Sequence, residues 1–371
     1  ECKMEKIKII FIHPSQLSER WLNYYHLDEL QNAFDIEYWD CSALANPNFK
    51  AKEIQERPYL QVIKNIGDFK ENINRIPKDT LIVNDLHANV ANYPLYMNIA
   101  KRFNHRIYFD FFANTQGVHK SKLFSKLATS NLKDLICYIL IRRKFHFYVF
   151  SSRYSSDGRY RINHPDFEVY QKVAKDSTNN NLSNYVVYVD NFFPFHPDIL
   201  NRDSHVDPTR LAPLFYGSLN SFFSKVEQHF GCKVVIAAHP SSVYTNNPFD
   251  GRDIIYNKTC ELIKDCTAVC MHTSNALSYA ILFNKPLALL TNKAFQQARL
   301  EFMRLENISN MLSMKLINTD TVDDINYVFN HVSKDFTEFY KKEYLIADPN
   351  KTNAELFVEY FNLLHKTIYQ S

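Results

Sequence analysis

Glycine is scarce, with only six in 371 residues, and none falls in a G-x-G-x-x-G or G-x-x-x-x-G-K-[ST] pattern. Both patterns need residues without a Cβ so that the backbone can close on a pyrophosphate. Their absence removes the main support for NAD-dependent or ATP-dependent chemistry. A phosphate, if bound, has to be held by side chains and a helix N-terminus. Cysteine is present seven times, an odd number with no C-x-x-C spacing, which excludes a disulfide framework and a zinc site and fits reduced thiols in a cytoplasm. No apolar run approaches the roughly 20 residues that span a bilayer, and no signal-peptide pattern precedes the first strand at Ile7. The formal charge of +3 is small for this length and no Lys/Arg run stands out, so nucleic acid is not an expected partner.

What is present is a globular composition, 46% apolar, at a length suited to two domains. The stretch Lys233 to Thr291 is the most informative. Short apolar runs at Val234 to Ala238, Thr267 to Met271 and Leu287 to Leu290 alternate with helical patterns, the βαβ rhythm of a parallel sheet. In such sheets ligands sit beyond the carboxyl ends of the strands. Two of those ends carry His239-Pro240-Ser241-Ser242 and His272-Thr273-Ser274-Asn275.

The same rhythm runs through the first half. Strands are expected at Lys8 to Ile12, Ile36 to Trp39, Thr80 to Val83, Arg106 to Phe109 and Phe147 to Phe150, with a helix from Glu19 to Ala33 and another near Glu53 to Asn65. Asp85 and Asp110 follow two of these strands. Lys120 to Arg143 reads as a helix whose stripe of Leu132, Leu135, Ile136, Ile139 and Leu140 faces a core, its cationic end suiting the helix dipole. Docking on an anionic membrane surface is the alternative for that helix. The polar run Ser177 to Ser183 is the best linker, giving domains at 1–180 and 181–345 and a C-terminal helix within 346–371 that packs back on the first domain. Further helices are expected near Leu219 to Phe230, Ala276 to Phe283, Val322 to Val332 and Asn353 to Lys366. The outline is α/β and GT-B-like: two facing Rossmann-like domains with a cleft between them as the default site.

Within that outline His239 can donate to a phosphate oxygen or protonate a leaving group, since Pro240 keeps the chain after the strand out of helix. His-Pro occurs four times, at His13, His164, His196 and His239, and position singles out His239 and His13 as following strong strands. Thr273, Ser274 and Asn275 open a helix and either cap it or hold an anion there, and His272 is a structural histidine or a ligand contact. Asp110 or Asp85 can take a proton from an acceptor hydroxyl; each can equally be a helix cap or a surface acid.

These residues resemble the bacterial GT-B glycosyltransferases that use CMP-activated acidic sugars, the sialyl-, Kdo- and pseudaminate or legionaminate transferases of surface polysaccharide synthesis. His239-Pro240 and Thr273-Ser274 match the HP motif and Ser-rich motif that bind CMP in that group, and Asn284-Lys285-Pro286 followed by a strand matches its ending. The resemblance implies His239, Pro240, Ser241, His272, Thr273, Ser274 and Asn275 around the nucleotide and Asp110 as base. The family places an acid and a glycine after that base, where this chain has Phe111-Phe112, which keeps Asp85 in play. It further implies inversion at the sugar, a CMP-sugar donor, a glycan or glycolipid acceptor, no cofactor and no metal. The compartment expected is the cytoplasm, with peripheral attachment to the inner membrane as the variant. A CDP-polyol phosphotransferase and a non-catalytic partner in glycan assembly are the competing readings.

Overall fold

The computed structural model describes residues 6–45, 56–112, 132–154, 160–176 and 184–370. The chain forms two compact units: of the described residues, the first holds those up to Phe111, from Leu132 to Asn163 and from Ala347 on, and the second Phe112 and His164–Ile346. The linker expected at 177–183, and with it the boundary near Asn180, lies outside the described residues. Helix Pro165–Lys175, which precedes that run, belongs to the second unit. There Tyr279 Oη donates to Asp166 Oδ1 at 3.2 Å and the rings of Tyr170 and Phe283 lie 4.7 Å apart.

The first unit is built on six parallel strands: β1 (Lys8–His13), β2 (Asp35–Asp40), β3 (Leu60–Val62), β4 (Leu81–Asn84), β5 (His105–Asp110) and β6 (His146–Ser151), in the order β3-β2-β1-β4-β5-β6. The second repeats the plan with β7 (Tyr185–Val189), β8 (Lys233–Ala237), β9 (Ile254–Ile255), β10 (Ala268–Met271), β11 (Leu287–Thr291) and β12 (Leu316–Asn318), in the order β12-β11-β10-β7-β8-β9. Read from the first strand of each unit, both orders are 3-2-1-4-5-6, the doubly wound arrangement of a Rossmann-like sheet. The central strands are apolar on both faces because helices cover both sides. Ile9 to Ile12 and Val187 with Tyr188 are at most 1% exposed.

In each sheet the chain winds outward in one direction from the first strand and then returns to build the other half. The connections therefore part at the carboxyl ends of strands one and four, leaving a crevice there. In the first unit these ends are His13 on β1 and Asn84-Asp85 after β4. In the second they are Asp190-Asn191 after β7 and His272 to Asn275 after β10.

The C-terminal helix Asn353–Tyr369 completes the first unit. Thr352 and Glu355 form a reciprocal capping box at its start. Phe361 packs against Phe11, Phe34 and Phe150, Phe357 against Phe109, and Tyr369 Oη donates to the Thr80 carbonyl at 2.7 Å. Two fully buried asparagines join this helix to the end of the first passage. Asn163 Nδ2 donates to the carbonyls of Asp348 (2.9 Å) and Lys351 (2.8 Å), and its Oδ1 accepts from the amides of Ala347 (2.8 Å) and Asp348 (3.0 Å). Asn353 returns the contact, accepting from Asn163 N and donating to Asn163 O, each at 2.8 Å.

Four helical expectations are corrected. Near Glu53 to Asn65 the described part holds strand β3, paired with Tyr38 to Asp40, and the helix begins at Ile66 because Asn65 caps it by accepting from Gly67 N and Asp68 N. The helix from Glu19 to Ala33 is two helices, Glu19–Tyr25 and Leu27–Ala33, broken where His26 takes φ of 50°. Val322 to Val332 is not helical. Ile325, Val328 and Val332 are buried at a helix-like spacing, but Asn330 exchanges both backbone bonds with Leu287 and Asp324 turns the chain by accepting from Asn326 N.

The fourth correction concerns helix Leu132–Lys144, whose stripe does not face a core. Of the five apolar residues expected inward, Leu132, Ile136, Ile139 and Leu140 are exposed and Leu135 is half-buried.

Replacing Asn163 with alanine removes four side-chain hydrogen bonds and strands buried backbone groups, at a cost of about 3 kcal/mol to the first unit. Both tryptophans, Trp21 and Trp39, lie in that unit, so urea unfolding followed by tryptophan fluorescence reads the loss directly.

Candidate functional site

The crevice of the second unit is organised by a buried carboxylate. Asp190, 2% exposed, ends β7; its Oδ1 accepts from Phe192 N (2.9 Å) and its Oδ2 from His239 N (3.3 Å) and Tyr244 Oη (2.7 Å). Burial pushes its pKa up against the pull of these donors. The single side chain thus ties the loop after β7 to the loop after β8 and fixes where His239 stands. Its strand-end position was visible in the sequence, but its hold on His239 depends on the parallel pairing of β7 with β8.

His239 is half-buried, Pro240 and Ser241 are exposed, and Ser242 is buried with its hydroxyl donating to the His239 carbonyl at 2.7 Å. His239 Nδ1 accepts from Ser241 N at 3.1 Å. All four His-Pro pairs make this turn: His13, His164 and His196 likewise accept from Ser15, Asp166 and Asp198, each at 3.1 Å. An imidazole that accepts through Nδ1 carries its proton on Nε2 when neutral, so the turn orients the ring and leaves a defined N–H donor on it. The motif is first a local folding device. His196 gains significance from its neighbour, because its ring lies 4.8 Å from that of His239 at 75°. Sequence reasoning passed over His196; the signal was a second His-Pro in the loop after β7.

The residues after β10 divide. His272 is fully buried among Phe215, Phe295 and Tyr188, with Nδ1 3.1 Å from Tyr188 Oη and its pKa pushed down to about 3 by burial. It sits as a core histidine does, the structural one of its two expected roles. Thr273 is also buried; its hydroxyl donates to Glu301 Oε2 at 3.0 Å and faces Asn191 Nδ2 at 3.4 Å. Ser274 Oγ accepts from Ala276 N at 3.1 Å, a local turn ahead of the helix, whose own N-cap, Ala276, has no side-chain cap. Ser274 and Asn275 are half-buried, and the helix that follows is only Leu277–Leu282, shorter than expected and with little summed dipole.

Glu301, in the first turn of helix Arg299–Leu312, was not foreseen. It is 6% exposed and takes Arg304 Nη1 on both oxygens, at 3.0 and 3.1 Å, with Arg202 Nη1 at 4.0 Å. Its link to Thr273 joins residues 28 apart in sequence, which no local pattern announces.

In the first unit the crevice lies between β1 and β4. His13 is buried against Trp21 (4.3 Å between rings), Tyr38 and Tyr25, and its pKa is pushed down to about 3, chiefly by burial. Asp85 accepts from Tyr25 Oη and from Phe109 N (3.3 Å). Loss of water pushes its carboxyl up to about 6, against the Tyr25 hydrogen bond and the Arg106 charge, and repulsion from Asp110 adds to the rise. Asp110 is half-buried at the end of β5, one strand beyond the crevice, and residues 113–131 after it lie outside the described residues. Among the described residues no three His, Cys, Asp or Glu side chains come together as metal ligands do.

The chain is thus an α/β protein of two Rossmann-like units. No protein-family model matches it, and no curated protein matches it in sequence. Similar solved structures include a putative UDP-N-acetylglucosamine 2-epimerase from Listeria monocytogenes, at 10% identity over 99% of this chain and 98% of that one with a TM-score of 0.47. They also include the UDP-GlcNAc 2-epimerase from Methanocaldococcus jannaschii (10%, 96% and 99%, 0.48) and the glycosyltransferase SnogD from Streptomyces nogalater (9%, 97% and 100%, 0.46). Likeness at this level carries no assignment of activity.

The Tyr25 hydroxyl favours the charged form of Asp85, so Tyr25→Phe raises the Asp85 pKa further, by about one pH unit. Carboxyl carbon NMR titration checks this. The folded value already lies above that of a free carboxyl. Ionising Asp85 therefore costs stability, and the loss sets in as pH rises through about 4 to 6.

Proposed function

We propose that this protein is a nucleotide-sugar glycosyltransferase whose second unit holds the donor. The observation that carries the proposal is the pair of loops after β7 and β8, beside the crevice, where a buried carboxylate fixes His239 and a second imidazole, His196, adjoins it. Side-chain and backbone N–H groups without glycine suit a phosphate that departs from a sugar. In that role His239, through Nε2–H, stabilises the charge that develops on the leaving phosphate. Ser241 shares the loop of His239, Ser274 lies in the loop after β10, and Thr273 beside it is held by Glu301.

The finer reading is that the donor is a CMP-activated acidic sugar, of the nonulosonic or Kdo type, transferred with inversion to a hydroxyl of a surface glycan or glycolipid. It rests on the match of His239-Pro240 and Thr273-Ser274 to the transferase group named above. CMP is itself a good leaving group, so the reaction reduces to deprotonating the acceptor and stabilising the departing phosphate.

The base is an acid of the first unit. Asp110 is the residue the resemblance implies, while Asp85 is favoured by its place at the crevice and by a pKa near 6, suited to taking a proton at neutral pH. If Asp85 is the base, the transfer rate rises with pH through about 6. Asp85→Asn then abolishes transfer while nucleotide binding persists, and Asp110→Asn retains the rise. The reverse pattern assigns the base to Asp110.

Donor identity is tested by thermal shift with CMP, UDP, GDP and ADP. Nucleotide at about 100 times its dissociation constant stabilises by about 2.7 kcal/mol. CMP raises the midpoint on this reading and His239→Ala reduces the shift; a response to UDP, GDP or ADP with none to CMP overturns the CMP donor. Mass analysis of the product separates sugar transfer from polyol-phosphate transfer.

A further inference from the structure

Helix Leu132–Lys144 of the first unit turns a stripe of four aliphatic side chains to solvent. At about 3.6 residues per turn Leu132, Ile136, Ile139 and Leu140 share one face, and they are 69%, 48%, 40% and 37% exposed. The opposite side carries Ile141, fully buried, and Asp134, whose Oδ1 accepts from Val90 N at 2.9 Å. These two anchors fix the rotation of the helix, so the exposure of the stripe is set by the fold. Single exposed aliphatics are ordinary, whereas four side by side, each worth about 1.5 to 3 kcal/mol if fully buried, mark a surface that something covers.

The charges around the stripe indicate what covers it. Lys133, Arg142, Arg143 and Lys144 are all exposed, and the helix's one acid, Asp134, is turned towards the protein. Arg143 falls on the stripe itself, Lys133 and Lys144 along one flank and Arg142 along the other, where its guanidinium lies over the Phe147 ring at 4.7 Å. An apolar band bordered by cations on long, flexible stems is the distribution of a helix lying in a bilayer interface, with aliphatics among the acyl chains and cations at the phosphates. No helix among the described residues is long and apolar enough to cross a membrane, so contact of this kind is along the surface.

We propose that the solvent-facing stripe of helix Leu132–Lys144 docks the first unit on an anionic lipid bilayer. One short stripe gives marginal affinity by itself. The cations supply the second signal, at about 1 kcal/mol each near an anionic surface. Binding is therefore selective for anionic lipid and weakens with salt. This inference does not depend on the reaction proposed above.

The test is co-sedimentation of the full chain with vesicles of phosphatidylglycerol mixed with phosphatidylcholine, against vesicles of phosphatidylcholine alone. The expected result is at least about tenfold stronger partitioning onto the mixed vesicles, reduced by added salt. Ile136→Gln with Ile139→Gln, and separately Arg143→Glu with Lys144→Glu, each lower it by about tenfold or more. All four residues are exposed, so an unchanged melting midpoint confirms that the variants fold. Equal partitioning onto both vesicle types, no partitioning, or variants that bind like the parent overturn the proposal. So does a parent that self-associates without lipid through the stripe while the glutamine variant is monomeric and still binds vesicles.

Discussion

The first unit depends on a clasp between two buried asparagines. The chain departs after Asn163 and comes back at Ala347, and at that point the Asn163 side chain satisfies two carbonyls and two amides of the returning strand of chain while Asn353 pairs with its backbone. Buried backbone groups must find partners, and here two amides supply them at a place where neither helix nor sheet can. The clasp sets the start of helix Asn353–Tyr369, which delivers Phe357 and Phe361 to the aromatic side of the first sheet. Without that helix Phe11, Phe34, Phe109 and Phe150 lose the partners that keep them dry.

A second theme is the use of strand-end acids, Asp190 buried and Asp85 half-buried, to hold loops. Asp190 draws the His239 amide and the Tyr244 hydroxyl to the end of β7, and Asp85 does the same for Tyr25 and Phe109 N at the end of β4. Each carboxylate is desolvated, and each is compensated by donors, from loops at Asp190 and from a helix and a strand at Asp85. Burial raises both carboxyls, that of Asp85 to about 6 with Asp110 near it. The His-Pro turn works alongside: the same hydrogen bond shapes four loops, and the fold then places two of their imidazoles, His196 and His239, together.

Much of this architecture is legible in the chain itself. Apolar runs such as Val234 to Ala238 and Leu287 to Leu290 can only be buried parallel strands, because they lack the alternation of a half-exposed sheet and are too short for core helices. The residues after them, His239 and Thr273 among others, then fall at strand ends by necessity. Legibility failed where spacing is ambiguous. Ile325, Val328 and Val332 mimic a helix in a segment governed by a bridge to Leu287, and the stripe of helix Leu132–Lys144 is as apolar as a core face although Ile141 and Asp134 hold it outward.

The sequence by itself determined the class: two βαβ-rich halves, no glycine-rich phosphate loop, and histidines and acids at the ends of strands, because periodicity and strand-end position are local properties. Only the tertiary structure decided which of those residues are available. It buried His272, tied Thr273 to Glu301, set His196 beside His239 and raised Asp85 rather than leaving it an ordinary surface acid. Burial and charge coupling depend on neighbours brought in from distant positions, and a side chain's chemistry follows from those neighbours.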